Sequence, residues 1–189
     1  MKLIKIAGLF LSAALFINTA SAQDKMAAEK TVMVGGAKMY PSKNIVENAV
    51  NSKDHTTLVA AVKAAGLVET LEGTGPFTVF APTNMAFDKL PKGTVDNLVK
   101  PESKATLTKI LTYHVVAGKL DSKAIAALIK AGSGKAELKT VSGGTLTAMM
   151  KGSKLVLTDE KGGMSTVTIK DVNQSNGVIH VIDTVLMPN

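Results

Sequence analysis

Cysteine, arginine and tryptophan are all missing from the 189-residue sequence, and aromatic side chains make up only 4% of it. Without a thiol there is no disulfide framework, no thiol nucleophile, no thiolate metal site and no N-terminal cysteine to carry a lipid. Stability must therefore come from packing. Without arginine the chain lacks the side chain best suited to bidentate recognition of phosphate, carboxylate and guanine. Few aromatics leave little for unpaired bases to stack on, so no nucleic-acid partner is expected. Long apolar runs are also scarce. The one near the start, Leu9 to Ile17, is shorter than the ~20 residues that cross a bilayer, and no integral membrane segment is expected in the mature chain.

That run follows Lys2 and Lys5 and precedes Ala20-Ser21-Ala22, the order of charge, apolar stretch and small-residue cleavage site that marks a secretory signal peptide over residues 1–22. Export to the periplasm, the cell surface or the surrounding medium follows. Removing Lys2 and Lys5 takes the formal charge from +7 to +5, all of the positive charge being lysine. No lysine run concentrates it, so it reads as a solvated surface weakly attractive to anions. The full sequence is 46% apolar and 20% charged, with a mean hydropathy of +0.20, as in a compact domain. A chain this long buries roughly 70% of its unfolded surface and can fold alone.

Residues 23–39 are Ala, Lys, Met and Gly without clear periodicity, and read as a mobile tail; the domain is expected over 40–189. Two helices fit 44–66. The first runs from Asn44, and the second is opened by Asp54, carries Leu58, Val59, Val62 and Ala65 on one face and stops at Gly66. A strand is expected over Phe77 to Ala81. Thr83 caps a short helix, and a later helix carries Leu107, Ile110 and Leu111 on one stripe, which His114 extends. Ser122 is expected to cap a helix through Ala131. The last third changes to short β-type runs separated by glycine-rich turns, each with one wet side except the final run from Gly177, which is apolar on both faces and should sit centrally. Helices first and antiparallel strands later give an α+β class.

No cofactor and no metal site is expected. His55, His114 and His180 lack the i+2 or i+4 companions of a metal site. The stretch from Asp171 opens like a calcium loop, but Asn176 and Ile182 stand where that loop needs glycine and glutamate. No nucleophile elbow or phosphate loop occurs, and Asp159-Glu160 reads as a solvated pair in a turn. No catalytic set emerges. His180 and His114 read as satisfied core histidines, while Tyr113-His114 could alternatively anchor a binding surface.

Taken together, three segments resemble the fasciclin (FAS1) family. Residues Gly75 to Phe87, reading GPFTVFAPTNMAF, are similar to its first signature, Tyr113-His114 to its central motif, and Asn176 to Asp183, reading NGVIHVID, to its second. The resemblance implies a wedge-shaped antiparallel β-sandwich with several packed helices, its two signatures side by side as strands. It makes Phe77, Phe80, Asn84, Asn176 and His180 family structural positions. It implies a secreted, non-enzymatic binding or cell-adhesion module contacting proteins or polysaccharides at the cell surface or matrix. By analogy with animal members, Tyr113, His114, Asp171 and Val172 would be partner-binding. A second reading is a carrier of a small apolar ligand, a lipid or carotenoid, for which Met85, Met149 and Met150 would be adaptable contacts.

Overall fold

The computed structural model describes residues 29–189. The expected signal peptide, 1–22, lies outside the described residues, as does the tail as far as Ala28. Within the rest of that stretch, residues 32–39 form regular structure. Strands β1 (Val32–Val34) and β2 (Ala37–Met39) pair as a two-stranded hairpin, with Val34 opposite Ala37. Val34 and Met39 are buried in the core, which is why so short a hairpin holds despite showing no alternation in its sequence.

Helix α1 (Ile45–Ala49) is closed by a reciprocal capping box between Asn44 and Glu47. A 3₁₀ turn, Lys53–His55, leads into α2 (Thr56–Ala65), so the side chain of Asp54 caps nothing here; Gly66 ends α2 in the left-handed conformation as its sequence suggests. Then follow α3 (Val68–Glu72), β3 (Phe77–Pro82) and α4 (Asn84–Asp88), the last capped by Thr83. Helix α5 (Thr94–Leu98) and a 3₁₀ turn opened by Pro101 precede α6 (Lys104–Tyr113) and β4 (Val115–Ala117). Helix α7 (Ser122–Ala131) is capped by Asp121 rather than Ser122, whose hydroxyl is turned to another acceptor. Five strands complete the chain: β5 (Lys135–Lys139), β6 (Thr145–Lys151), β7 (Lys154–Thr158), β8 (Met164–Gln174) and β9 (Gly177–Ile182).

The seven strands β3 to β9 form one sheet in the order β4-β3-β9-β8-β7-β6-β5, and a bridge from Val116 to Thr140 nearly joins its two ends. All neighbouring pairs are antiparallel except β3 and β9, which run parallel with Phe77 opposite Gly177 and Pro82 opposite Ile182. The sandwich arises because the halves of this one sheet face each other. Phe80, Val116 and Ile182 from one half meet Leu138, Leu146, Leu155 and Leu157 from the other in a core closed by Ile125 and Ile129 of α7. A second core, on the opposite face of β3 and β9, packs Val79, Ala81, Ile179 and Val181 against the hairpin and helices α1, α2, α4 and α6. Strand β9 is thus buried on both faces, as its sequence requires. Strand β7 departs from the one-wet-side pattern, since Val156 is buried along with Leu155 and Leu157.

The β3–β9 pairing leaves no room at Gly177. A β-carbon there would stand 2.1 Å from the carbonyl oxygen of Phe77, inside any real contact, and the obstacle is backbone. Gly177→Ala is expected to lower the unfolding free energy by about 2 kcal/mol, the cost of forcing a strand apart in a packed core. Urea unfolding at neutral pH checks it, and an unchanged midpoint would refute the close approach.

Candidate functional site

The helices α1, α2 and α3 do not close completely on the sheet. Between them lies a cavity of about 80 Å³, lined by Val34, Met39, Ile45, Leu58, Val62 and Leu71 with Val79, Ala81 and Ile179 from the strands beneath. Its walls are almost wholly apolar, and the charged or titratable side chains on them are His55, Lys63 and His114. His55 is buried, with Nδ1 2.8 Å from the Ser52 hydroxyl, while its Nε2 makes no hydrogen bond. Burial lowers its pKa, with the Ala81 backbone and Asp54 pulling weakly the other way. Met85, Met149 and Met150 do not line the cavity; Met85 and Met150 stand exposed elsewhere, and Met39 is the methionine on the wall.

Tyr113 and His114 do not offer a binding surface. Both are buried, Tyr113 with no exposed area and His114 with 3%, because the last turn of α6 is covered by the meander and by the chain that follows β9. The Tyr113 hydroxyl donates to the Thr145 carbonyl at 2.8 Å and accepts from the Glu160 N–H, and burial pushes its pKa up to about 12. His114 Nδ1 donates to the Ile110 carbonyl at 2.8 Å and Nε2 accepts from the Leu186 N–H at 3.1 Å, which fixes the neutral tautomer. Burial pulls its pKa down to about 4.

Val172 is equally inaccessible, 1% exposed in the helix-side core. Asp171 is half-buried, and its carboxylate accepts from both the backbone and the hydroxyl of Ser122, pinning the start of α7. It stands at φ 61° where β8 is bulged, within the register shift between Ile169 and Val172 that breaks the expected alternation. Burial alone would raise its pKa, but the Ser122 hydrogen bonds outweigh that and hold it below the usual carboxylate range. Of the four partner-binding expectations, Asp171 alone keeps some exposed surface, and the structure does not bring the four together as a patch.

The positions that the resemblance marks as structural make the following contacts. Asn84 accepts from Thr57 N–H and donates to the Lys53 carbonyl, holding α4 against the start of α2. Asn176 accepts from Ile45 N–H and donates to the carbonyls of Leu71 and Gly73, tying three distant segments to the β8–β9 turn. His180 stacks on Phe80 at 5.6 Å between ring centroids, with Nε2 donating to the Leu120 carbonyl and Nδ1 accepting from Asp171 N–H. Phe77, at the start of β3, is half-buried against the helix-side core.

Of the pair read as solvated, Glu160 is exposed and Asp159 is not. Asp159 is buried, accepting from the N–H groups of Lys161, Gly163 and Met187, and Glu160 accepts from Thr145 and Asn189 N–H. These carboxylates clamp the chain after β9, a role no local pattern announces because its partners are backbone groups far along the sequence. Among the described residues no group of three or more His, Cys, Asp or Glu could hold a metal ion, and no helix is long and apolar enough to cross a membrane.

The model of the Fasciclin domain matches residues 53–188 of the sequence. The chain belongs to the fasciclin family. Among curated relatives of this fasciclin chain, protein sll1483 of Synechocystis is 46% identical over 175 residues, covering 93% of this chain and 90% of its own. The cell surface glycolipoprotein MPB83 of Mycobacterium bovis is 37% identical over 145 residues, covering 74% of this chain and 58% of its own. A solved FAS1 domain pair from the insect cell adhesion molecule Fasciclin I superposes with a TM-score of 0.70 at 18% identity, over 85% of this chain and 58% of that one. The fold is therefore the FAS1 fold, and its two signatures are the parallel neighbours β3 and β9.

Proposed function

We propose that this fasciclin domain is a non-enzymatic binding module, exported from the cell, that contacts proteins or polysaccharides at the cell surface or matrix. The observation that carries the reading is the fate of its buried titratable groups. Tyr113, His114, His180, Asp159 and Asp171 all spend their polar atoms on backbone or hydroxyl partners that hold the fold, so none of these five is poised as nucleophile or base; His55, with Nδ1 on the Ser52 hydroxyl, is the buried group that keeps a nitrogen unpaired. What is left to act is the basic outer surface and the cavity. The relative described as a cell surface glycolipoprotein agrees with a site of action outside the cell.

The mature chain, offered to its own cells or their matrix, is expected to be retained at low salt and released as salt rises, because lysine contacts to an anionic surface are screened over ~8 Å at physiological ionic strength. Retention that is absent, with no protein recovered in a pull-down either, would defeat the reading.

The cavity favours a second reading, a carrier of a small apolar ligand. Its size sets a limit: at about 80 Å³ it has roughly half the room of the ~150 Å³ cavity known to take benzene. It accepts a short alkyl segment rather than a whole lipid or carotenoid.

A further inference from the structure

We propose that the cavity takes the alkyl end of a monocarboxylate amphiphile, with the carboxylate held at the mouth by Lys63. This rests on the carrier reading and adds the head group to it.

The walls decide the body of the ligand. They are almost wholly apolar, aliphatic side chains together with Phe77 and Phe80, and most of their buried polar atoms are engaged: the Ser52 hydroxyl with His55, the Thr112 hydroxyl with the Thr108 carbonyl, and both nitrogens of His114 with Ile110 and Leu186, His55 Nε2 being the exception. Away from His55 Nε2, a polar group brought into this space would find no hydrogen-bond partner, a cost that disfavours such ligands. A bare alkyl segment meets no such cost.

The charge at the mouth decides the other end. No carboxylate lines the cavity, and the two histidines there are kept neutral by burial, leaving Lys63 as the charged residue on its wall. Lys63 both lines the cavity and is exposed, so a charged residue stands where the cavity meets solvent. Lys104 sits beside the same end of α2, its Nζ 3.4 Å from where a β-carbon on Gly66 would stand, and adds a second positive charge nearby. An apolar slot with a cation at its lip is complementary to an alkyl chain ending in an anion. The cavity volume admits only the terminal carbons, so the remaining chain lies along the mouth, towards the lysine.

The test is titration calorimetry on the mature protein with sodium octanoate and, separately, 1-octanol, at about 10 mM ionic strength, where charges act over ~30 Å. Octanoate is expected to bind about three- to fivefold tighter than the alcohol, the scale of one exposed ion pair. Lys63→Gln should bring the two ligands level, as should raising the salt to about 1 M, where screening acts within ~3 Å. Ala49→Leu, which fills the wall, should weaken both ligands together. If neither ligand binds the folded protein, the carrier reading and this proposal both fall. If both bind equally and Lys63→Gln changes neither, the carrier reading stands and the head-group assignment is wrong, Lys63 then serving only the C-terminal end of α2.

Discussion

Asn176→Ala is expected to lower the unfolding free energy by about 3 kcal/mol and the melting temperature by about 6–12 °C. The side chain is 7% exposed and serves three backbone groups at once: the first N–H of α1 and the carbonyls of Leu71 and Gly73. Each bond contributes about 1 kcal/mol net, and truncation leaves all three groups unpaired in a place water reaches poorly. Asn176→Asp separates this from a loss of bulk. The aspartate keeps an acceptor for Ile45 but sets a carboxylate oxygen against the Leu71 and Gly73 carbonyls, so at neutral pH it should be no more stable than the alanine variant. Thermal unfolding followed by circular dichroism measures both, and an aspartate variant as stable as the parent would overturn the assignment of donors.

Acid should weaken the protein well before its carboxylates titrate. His114 is fully enclosed, and its folded pKa of about 4 lies below the 6.5 of an unfolded imidazole because burial disfavours the cation; Nε2 also faces the Leu186 N–H, where a proton would oppose it. Since the folded state holds the neutral form, the stabilisation is complete above pH 6.5 and is lost as pH falls from 6.5 towards 4. At 1.36 kcal/mol per unit this amounts to about 3 kcal/mol from His114 alone. Burial lowers His55 and His180 as well, and both add to the loss in the same direction. Asp183 is also held low, the Thr166 N–H and Thr184 hydroxyl bonds outweighing its burial, so like Asp171 it contributes only to loss below the carboxylate range. Chemical unfolding measured at half-unit intervals should show stability falling from pH 6.5. His114→Gln, which can still accept from Leu186, should be less stable at pH 7 but flatter between 6.5 and 4. A flat parent profile over that window would remove the argument.

Both effects turn on groups whose residue types were plain in the sequence and whose partners were not. The local rules served well where they acted locally: Thr83 caps α4, Gly66 ends α2, and Leu107, Ile110 and Leu111 form the buried stripe of α6. They failed where a distant segment decided the outcome. The hairpin at Val32–Met39 has no pattern of its own and exists because Val34 and Met39 find a core contributed by the helices. Tyr113 and His114 end an apolar stripe, and only the chain after β9 turns that end from a surface into an interior. The bulge at Asp171 breaks a two-residue alternation that reads cleanly up to Lys170. The cavity left no local signature at all, because it is the gap between α1, α2, α3 and strands from both halves of the sequence.

The parallel join of β3 to β9 also governs when the chain can fold. Strand β9 supplies a wall to each core, yet it lies far along the sequence from its partner, and Phe77 cannot meet Gly177 until the whole stretch between them has been made. Synthesis at ~5–20 residues per second therefore leaves both interiors without this strand until late. Such long-range pairing is slow to form, since the intervening loop must close before any contact rewards it. For a chain exported as proposed, pairing this late would favour passage through a channel before the strands join.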